Sequence, residues 1–439
     1  MKPINIGILG LGTVGGGTAK VLYQNASEIK RRTGREIRLA MVADKNPEVN
    51  RAFFQTDTVL TQDAFELVSH ANIDIVVETI GGTGIAKDLI LKAIENGKHV
   101  VTANKKLLAE YGNEIFQAAE NKNVMVMFEA AVAGGIPIIK VLREGLAANR
   151  IERIAGIING TSNFILSEMR EKGSSFADVL KEAQRLGYAE ADPTFDIEGH
   201  DAGHKITIMA SLAFGIPLDF QSCYLEGISQ LDAKDIRYAE ELGYRVKLLG
   251  ITQRSEKGIE LRVHPTLIPE KRLIANVNGV MNAVWVHGDM VGSTLHYGAG
   301  AGALPTASAV VADLVDLTRM LTSDSNMRVP HLAFQPSQVQ NIPILPMDEI
   351  SSSYYLRVQV SDERGVLAKI TGILAEQNIS IEALIQKGVW KSDGQAEIVI
   401  LTHTAVEKFV KTALEQIESL PEVKSPVTMI RMESLHISN

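Results

Sequence analysis

Residues 4–17 read INIGILGLGTVGGG. A short apolar run, Ile4 to Leu9, stops at Gly10-Leu11-Gly12-Thr13-Val14-Gly15, and helix-like sequence follows. Strand, glycine turn and helix start together form the context that a dinucleotide fingerprint requires. The first glycine permits the tight turn, the second lets the backbone approach a pyrophosphate, and the third lets the helix pack closely. The helix then points its positive end at the phosphates. Gly10, Gly12, Thr13, Val14 and Gly15 are therefore the expected cofactor contacts. A glycine-rich turn without a ligand is the plainer alternative.

Similar apolar runs follow at 37–43, 73–80, 98–102 and 123–128, with amphipathic stretches at 86–96 and 106–121. This alternation predicts βαβ units and a parallel, Rossmann-like α/β sheet over 1–134. An acid is needed near the end of the second strand to hold the ribose hydroxyls, and Asp44 is the candidate. It lies late because the polar segment 25–36 lengthens the first crossover. A turn aspartate is the other reading. Lys45 beside it would tolerate a 2′-phosphate, so NAD and NADP both stay open. Thr79 and Lys105 close the next strands, at the sheet edge where doubly wound folds bind ligands. Lys105, next to Lys106, also reads as a surface lysine.

From 135 to 325 helical and strand-like runs mix, which predicts an α+β unit. Pro330, Pro336, Pro343 and Pro346 then crowd one segment, and 326–353 reads as a linker. In 354–434 the order is strand 354–360, helix 365–377, strands 379–389 and 396–402, helix 404–419 and strand 424–433. That is the ferredoxin-like βαββαβ arrangement. Three modules suit 439 residues. Lys+Arg 44 against Asp+Glu 52 gives a net charge of −8, so a nucleic-acid partner is not expected. One cysteine, Cys223, excludes an intrachain disulfide and a Cys-based metal cluster, and fits a reducing, cytoplasmic setting. The N-terminus runs straight into a strand, with no signal peptide expected. No apolar run reaches about 18 residues, so no membrane span is expected.

Residues 187–205 read GYAEADPTFDIEGHDAGHK, holding Glu190, Asp192, Asp196, Glu198, Asp201 and Lys205. A solvated acidic loop is the bland reading. However, Asp201 and Lys205 are four apart on a predicted helix and share a face. The helix then turns apolar, which places its first turn at the protein interior. Burial would lower the pKa of Lys205 towards acid/base use, while the carboxylates would raise it, and the pattern leaves the net sign open. His200-Asp201-Ala202-Gly203-His204 approaches the zinc-protease pattern H-E-x-x-H. An aspartate replaces the glutamate base and a glycine sits inside, so both histidines read instead as helix-surface residues. Cys223 has no basic neighbour and reads as a buried small residue, which argues against thioester chemistry.

The chain resembles homoserine dehydrogenase. The likeness rests on GLGTVG at 10–15, HVVTANKKLLA at 99–109, FEAAVAGGIPI at 128–138, IINGTSNFIL at 157–166, the 187–205 stretch and YGAGAGALPTA at 297–307. It resembles the monofunctional form, without a fused aspartate kinase. Its tail looks like an ACT regulatory domain, with Arg364 where proline is common in D-x-P-G-V-L-A. The resemblance implies reversible NAD(P)H-dependent reduction of L-aspartate 4-semialdehyde to L-homoserine, on the threonine and methionine route. It implies Lys205 as proton donor, Lys105 near nicotinamide and substrate, and Glu190, Asp201 and Asp196 as substrate ligands. Gly187 and Gly302 would lie at the cofactor. Glu129 and the carbonyls of Val132, Gly134 and Ile136 would hold sodium. It further implies a substrate and dimerisation unit over 135–325, a homodimer or homotetramer, and threonine as effector of 354–434. His204 stands where arginine is frequent, and would make the local field more pH-dependent. A non-catalytic, nicotinamide-dependent sensor is the alternative class.

Overall fold

A computed structural model describes residues 2–321, 328–387 and 394–435. Its first sheet has six strands: β1 (Ile4–Leu9), β2 (Ile37–Ala43), β3 (Val59–Thr61), β4 (Ile75–Glu78), β5 (His99–Thr102) and β6 (Val126–Met127). Their spatial order is β3-β2-β1-β4-β5-β6, and every pair is parallel. Ile6, Ile8, Val76, Val77, Val100 and Val101 are fully buried. Helices cover both faces of a parallel sheet, so its central strands read as unbroken apolar runs rather than alternating ones. The order reverses between β1 and β4, and there the glycine turn emerges.

The polar segment after the first helix, Thr13–Gln24, is a second helix, Ala26–Thr33, which the composition alone did not disclose. Glu28 is near its start, three basic residues fill its last turn, and Gly34 ends it in the left-handed region. Strand β3 was also missed; it is three residues long, at the sheet's edge. Helix Ala303–Met320 comes back from far along the chain to pack on this sheet. Val310, Val311, Leu314 and Leu317 join Ile6, Ile8 and Val42 in one core.

The second sheet combines β7 (Ile151–Ile157), β8 (Tyr224–Leu225), β9 (Tyr244–Arg254), β10 (Ile259–Pro269), β11 (Met281–Gly288) and β12 (Gly292–Ala299) with the tail strands. These are β13 (Ser351–Ser361), β14 (Ile381–Lys387), β15 (Gln395–Thr402), β16 (Ala405–Val406) and β17 (Thr428–Met432). Strand order β12-β11-β7-β9-β10-β17-β13-β15-β14 makes one continuous sheet. Within the tail, β17-β13-β15-β14 with helices Val366–Glu376 and Glu407–Glu418 is the ferredoxin-like arrangement. Residues 388 and 389 of the expected strand lie outside the described residues.

Tail and body meet through charge as well as apolar packing, Tyr355, Leu401 and Ile430 sharing one core with Leu248 and Val263. Strands β10 and β17 pair over only two residue pairs, Thr266–Arg431 and Leu267–Met432. Around them, Asp235 on helix Ala233–Glu241 accepts from Arg357 Nε at 2.6 Å, from Arg357 Nη2 at 2.9 Å and from Tyr355 Oη at 2.8 Å. Arg431 reaches Glu226 at 2.6 Å and Glu407 at 2.8 Å. The planar guanidinium suits such forked contacts. The proline-rich segment lies along the body rather than free of it. Ile259 N donates to Pro343 O at 2.9 Å, and Leu345 N to Ile259 O at 2.8 Å.

Candidate active site

At the sheet's switch point Gly10 has φ 87°, a conformation that glycine adopts without strain. A Cβ on Gly15 would stand 1.9 Å from the Gly10 carbonyl oxygen, so packing demands that glycine. A Cβ on Gly12 would meet nothing within 4 Å, so the space beside it is open. Thr13 starts the helix and is exposed, while Val14 packs inward. Asp44 ties the turn down: its Oδ2 accepts from Leu11 N at 2.6 Å and its Oδ1 from Asn46 N at 2.8 Å. The turn role and a place beside the glycine loop thus coincide in one residue. Thr79 Oγ1 donates towards the carbonyls of Leu9 and Gly10, each at 2.9 Å.

Two residues that sequence reasoning passed over shape the neighbouring loop. Glu78 is buried at the end of β4. Its Oε1 accepts from Ile80 N at 2.8 Å and Gly81 N at 2.9 Å, and its Oε2 from Thr102 Oγ1 at 2.6 Å. Asn104 Nδ2 donates to Gly82 O at 2.7 Å, and its Oδ1 caps helix Lys105–Asn121. Lys105 therefore starts a helix whose entry is fixed from both sides.

Lys105 projects towards a cleft of about 440 Å³ that Asn159, Gly187, Asp196, Asp201, Lys205 and Gly302 also line. Lys205 and Asp201 are both buried on helix His200–Phe214. Lys205 Nζ donates to Asp201 Oδ2 at 2.6 Å and to the Ile158 carbonyl at 2.7 Å. An ammonium has three N–H groups, so one is left for the cleft. Lys105 Nζ lies 3.2 Å from Asp201 Oδ1. Burial would raise Asp201, but the ammoniums of Lys205 and Lys105 hold its carboxyl well below the usual range. The same Asp201 charge holds Lys105 above its ordinary value. Burial wins at Lys205 and lowers it. Asp196 is raised, also by burial. The two lysines are thus split: one is a fixed cation, the other is eased towards losing its proton. Glu190 is not brought in. It is exposed, and its carbonyl alone is engaged, by Gln184 Nε2 at 3.1 Å.

Residues 10–129 match the family described as Homoserine dehydrogenase, NAD binding domain; 137–315 match Homoserine dehydrogenase; 354–422 match ACT domain. Homoserine dehydrogenase of Neisseria gonorrhoeae is 71% identical over 436 residues, covering 99% of this chain and all of that one. The chain belongs to the homoserine dehydrogenase family. A solved homoserine dehydrogenase from Thiobacillus denitrificans superposes with TM-score 0.94 at 63% identity, covering 99% of both chains. A hyperthermophilic archaeal homoserine dehydrogenase in complex with NADPH has TM-score 0.62 at 29% identity and covers 72% of this chain and 98% of that one. The chain is accordingly a nucleotide-dependent oxidoreductase of the type acting on a CH–OH group, with an ACT domain at its end.

In the turn that follows β6, Glu129 is 3% exposed. Its carboxylate accepts from Ile139 N at 2.9 Å and Lys140 N at 2.8 Å, and burial pushes it up to about 7. Ala133 and Gly134 take φ 53° and 39°. The Ile136 carbonyl accepts from Ile138 N at 2.7 Å. The buried carbonyls of Val132 and Gly134 accept no hydrogen bond among the described residues. Uncommitted buried carbonyls next to a buried carboxyl suit a hard cation.

Two expectations need correction. His204 is not a surface residue; it packs against Phe220 at a ring distance of 4.1 Å and Phe195 at 5.4 Å. Burial lowers it to about 4, so it adds no charge near neutral pH. The polar 187–205 stretch hid this, because the nearer of the two rings, Phe220, comes from outside it. Among the described residues no three His, Cys, Asp or Glu side chains group as metal ligands. Cys223 is buried, and burial pushes its thiol up to about 12, away from nucleophilic use.

The two glycines should separate experimentally. Gly15→Ala should lower the thermal midpoint, since its methyl meets backbone. Gly12→Val should leave the midpoint near wild type, yet weaken NADPH binding about tenfold or more, read by nicotinamide fluorescence. Unchanged NADPH affinity in Gly12→Val would remove the turn from the cofactor site.

Proposed function

We propose that this chain reversibly reduces L-aspartate 4-semialdehyde to L-homoserine, with Lys205 moving the proton. The observation that carries the reading is the buried Lys205 ammonium, with two N–H groups held and a third facing the cleft. NAD or NADP supplies or takes the hydride when bound, and the glycine turn, Asp44, Thr79, Gly187 and Gly302 would hold it. The NADPH complex of the archaeal relative supports NADP as one usable form. Lys205 gives its proton to the oxygen that gains charge as the carbonyl is reduced, and takes it back in the reverse direction. Asp201 keeps Lys205 oriented. Lys105, Asp196 and Glu190 would hold the amino-acid end of the substrate, Glu190 after a movement of its turn. Lys205→Ala should lower turnover about 10²–10⁴-fold while NADPH binding persists. Near-normal homoserine oxidation by that variant would remove Lys205 from the reaction.

Glu129 with the carbonyls of Val132, Gly134 and Ile136 would hold a monovalent cation, sodium being the candidate. The ion would supply charge that stiffens the 129–138 turn beside the cleft. Sodium chloride should raise the thermal midpoint above that in choline chloride at equal ionic strength, and Glu129→Gln should erase the difference. Equal midpoints in wild type would dismiss the site.

Threonine is the proposed effector. The ACT sheet grips helix Ala233–Glu241, which packs on helix Gly160–Lys172, and that helix begins at the cleft. This route supports feedback through 354–434. Threonine at millimolar concentration should slow homoserine oxidation; an unchanged rate in excess threonine would deprive the tail of that role. A dimer is supported by the outer edge of β12, which pairs with no further strand among the described residues and where Tyr297 is 60% exposed and nearby Met290 79%.

A further inference from the structure

Asn159 sits where four demands converge. It is the residue before helix Gly160–Lys172, and its Oδ1 accepts from Ser162 N at 2.8 Å, which caps that helix. Its Nδ2 donates to Asp196 Oδ1 at 2.7 Å and to Asp201 Oδ2 at 2.9 Å. Its neighbour Ile158 offers the carbonyl that takes the second Lys205 hydrogen. Both amide hydrogens are therefore spent on carboxylates, and the side chain is buried.

Two carboxylates facing one cleft repel, and in a buried setting they would share a proton or swing apart. A neutral donor between them lets both stay put without adding charge. An aspartate there would add a third negative group, and a serine could cap the helix but has one hydrogen to give. The cap therefore explains an asparagine or a serine equally well, while the bridge is met only by a two-hydrogen donor that also accepts.

We propose that Asn159 is a positioning residue: its amide bridges Asp196 and Asp201, and thereby holds Asp201 Oδ2 where it orients the Lys205 ammonium. This rests on the reading of Lys205 as the proton-moving group. The charged groups that face Lys205 are Asp201, Lys105 and Asp196. Releasing the bridge changes how the two acids bear on it.

The test uses Asn159→Ser and Asn159→Asp in the full chain, with Lys205→Ala alongside. Asn159→Ser keeps a cap, so its thermal midpoint and NADPH affinity should stay near wild type. Its kcat should fall about tenfold to a hundredfold, the scale of a misplaced reacting group. Asn159→Asp adds negative charge beside Lys205, which raises the pH at which the lysine sheds its proton. The alkaline rise of kcat for homoserine oxidation should therefore move to higher pH. Wild-type kcat and an unmoved pH profile in both variants, while Lys205→Ala is inactive, would overturn the bridge and spare the lysine. An active Lys205→Ala would overturn the lysine reading itself. If Asn159→Ser melts early, the pH profile of Asn159→Asp decides alone, since a loss of folded enzyme scales kcat without shifting its profile.

Discussion

Everything at the cleft depends on one buried carboxylate. Asp201 holds its charge in a buried position, and three donors hold it there: Lys205, Lys105 and the amide of Asn159. Removing one partner from a buried charge is costly, so each partner is in turn held by a different part of the fold. Lys205 shares the helix of Asp201, Lys105 comes from the nucleotide sheet, and Asn159 comes from the end of β7. The charge is thus a knot through which three distant segments are registered. An uncharged residue at 201 would leave two lysines facing each other.

The same logic explains the split between the lysines. Both approach the same acid, yet one is drawn up and the other let down. The difference is burial. Lys205 is within the helix's apolar environment, and Lys105 stands at the cleft mouth with access to water. Two identical side chains on one carboxylate therefore differ: one is held more firmly charged, the other is eased towards losing its proton.

Much of the fold was legible because apolar periodicity and glycine punctuation are local signals. The runs 4–9 and 37–43 are strands with those bounds, and Asp201 and Lys205 do share a helix. Short elements with weak apolar content, β3 and helix Ala26–Thr33, were not legible, since tertiary contact rather than pattern decides them. At the site, the pair Asp201 and Lys205 showed in its spacing of four. The Asn159 bridge did not, because its partners lie 37 and 42 residues away. An asparagine before Gly-Thr-Ser does announce a helix cap, and that was the available signal. His204 was misplaced for a related reason: the nearer ring, Phe220, comes from beyond the end of its own helix. Glu78 looked like the end of a strand and nothing more.

The chain crosses between the nucleotide sheet and the rest near 130–137 and again at 299–302. The crossings touch: Gly135 N donates to Ala299 O at 2.9 Å, and the Gly300 carbonyl would be 2.6 Å from a Cβ on Gly134. The nucleotide sheet and the body also share one apolar core, in which Phe116 and Val126 belong with Ile206 and Met209, so this joint is one of several contacts that hold them together. Ala299 to Gly302 also wall the cleft, so the joint and the cleft adjoin. Lys105 reaches the cleft from one side of that joint and Asp201 from the other, so the same wall that lines the cleft also fixes the distance between them.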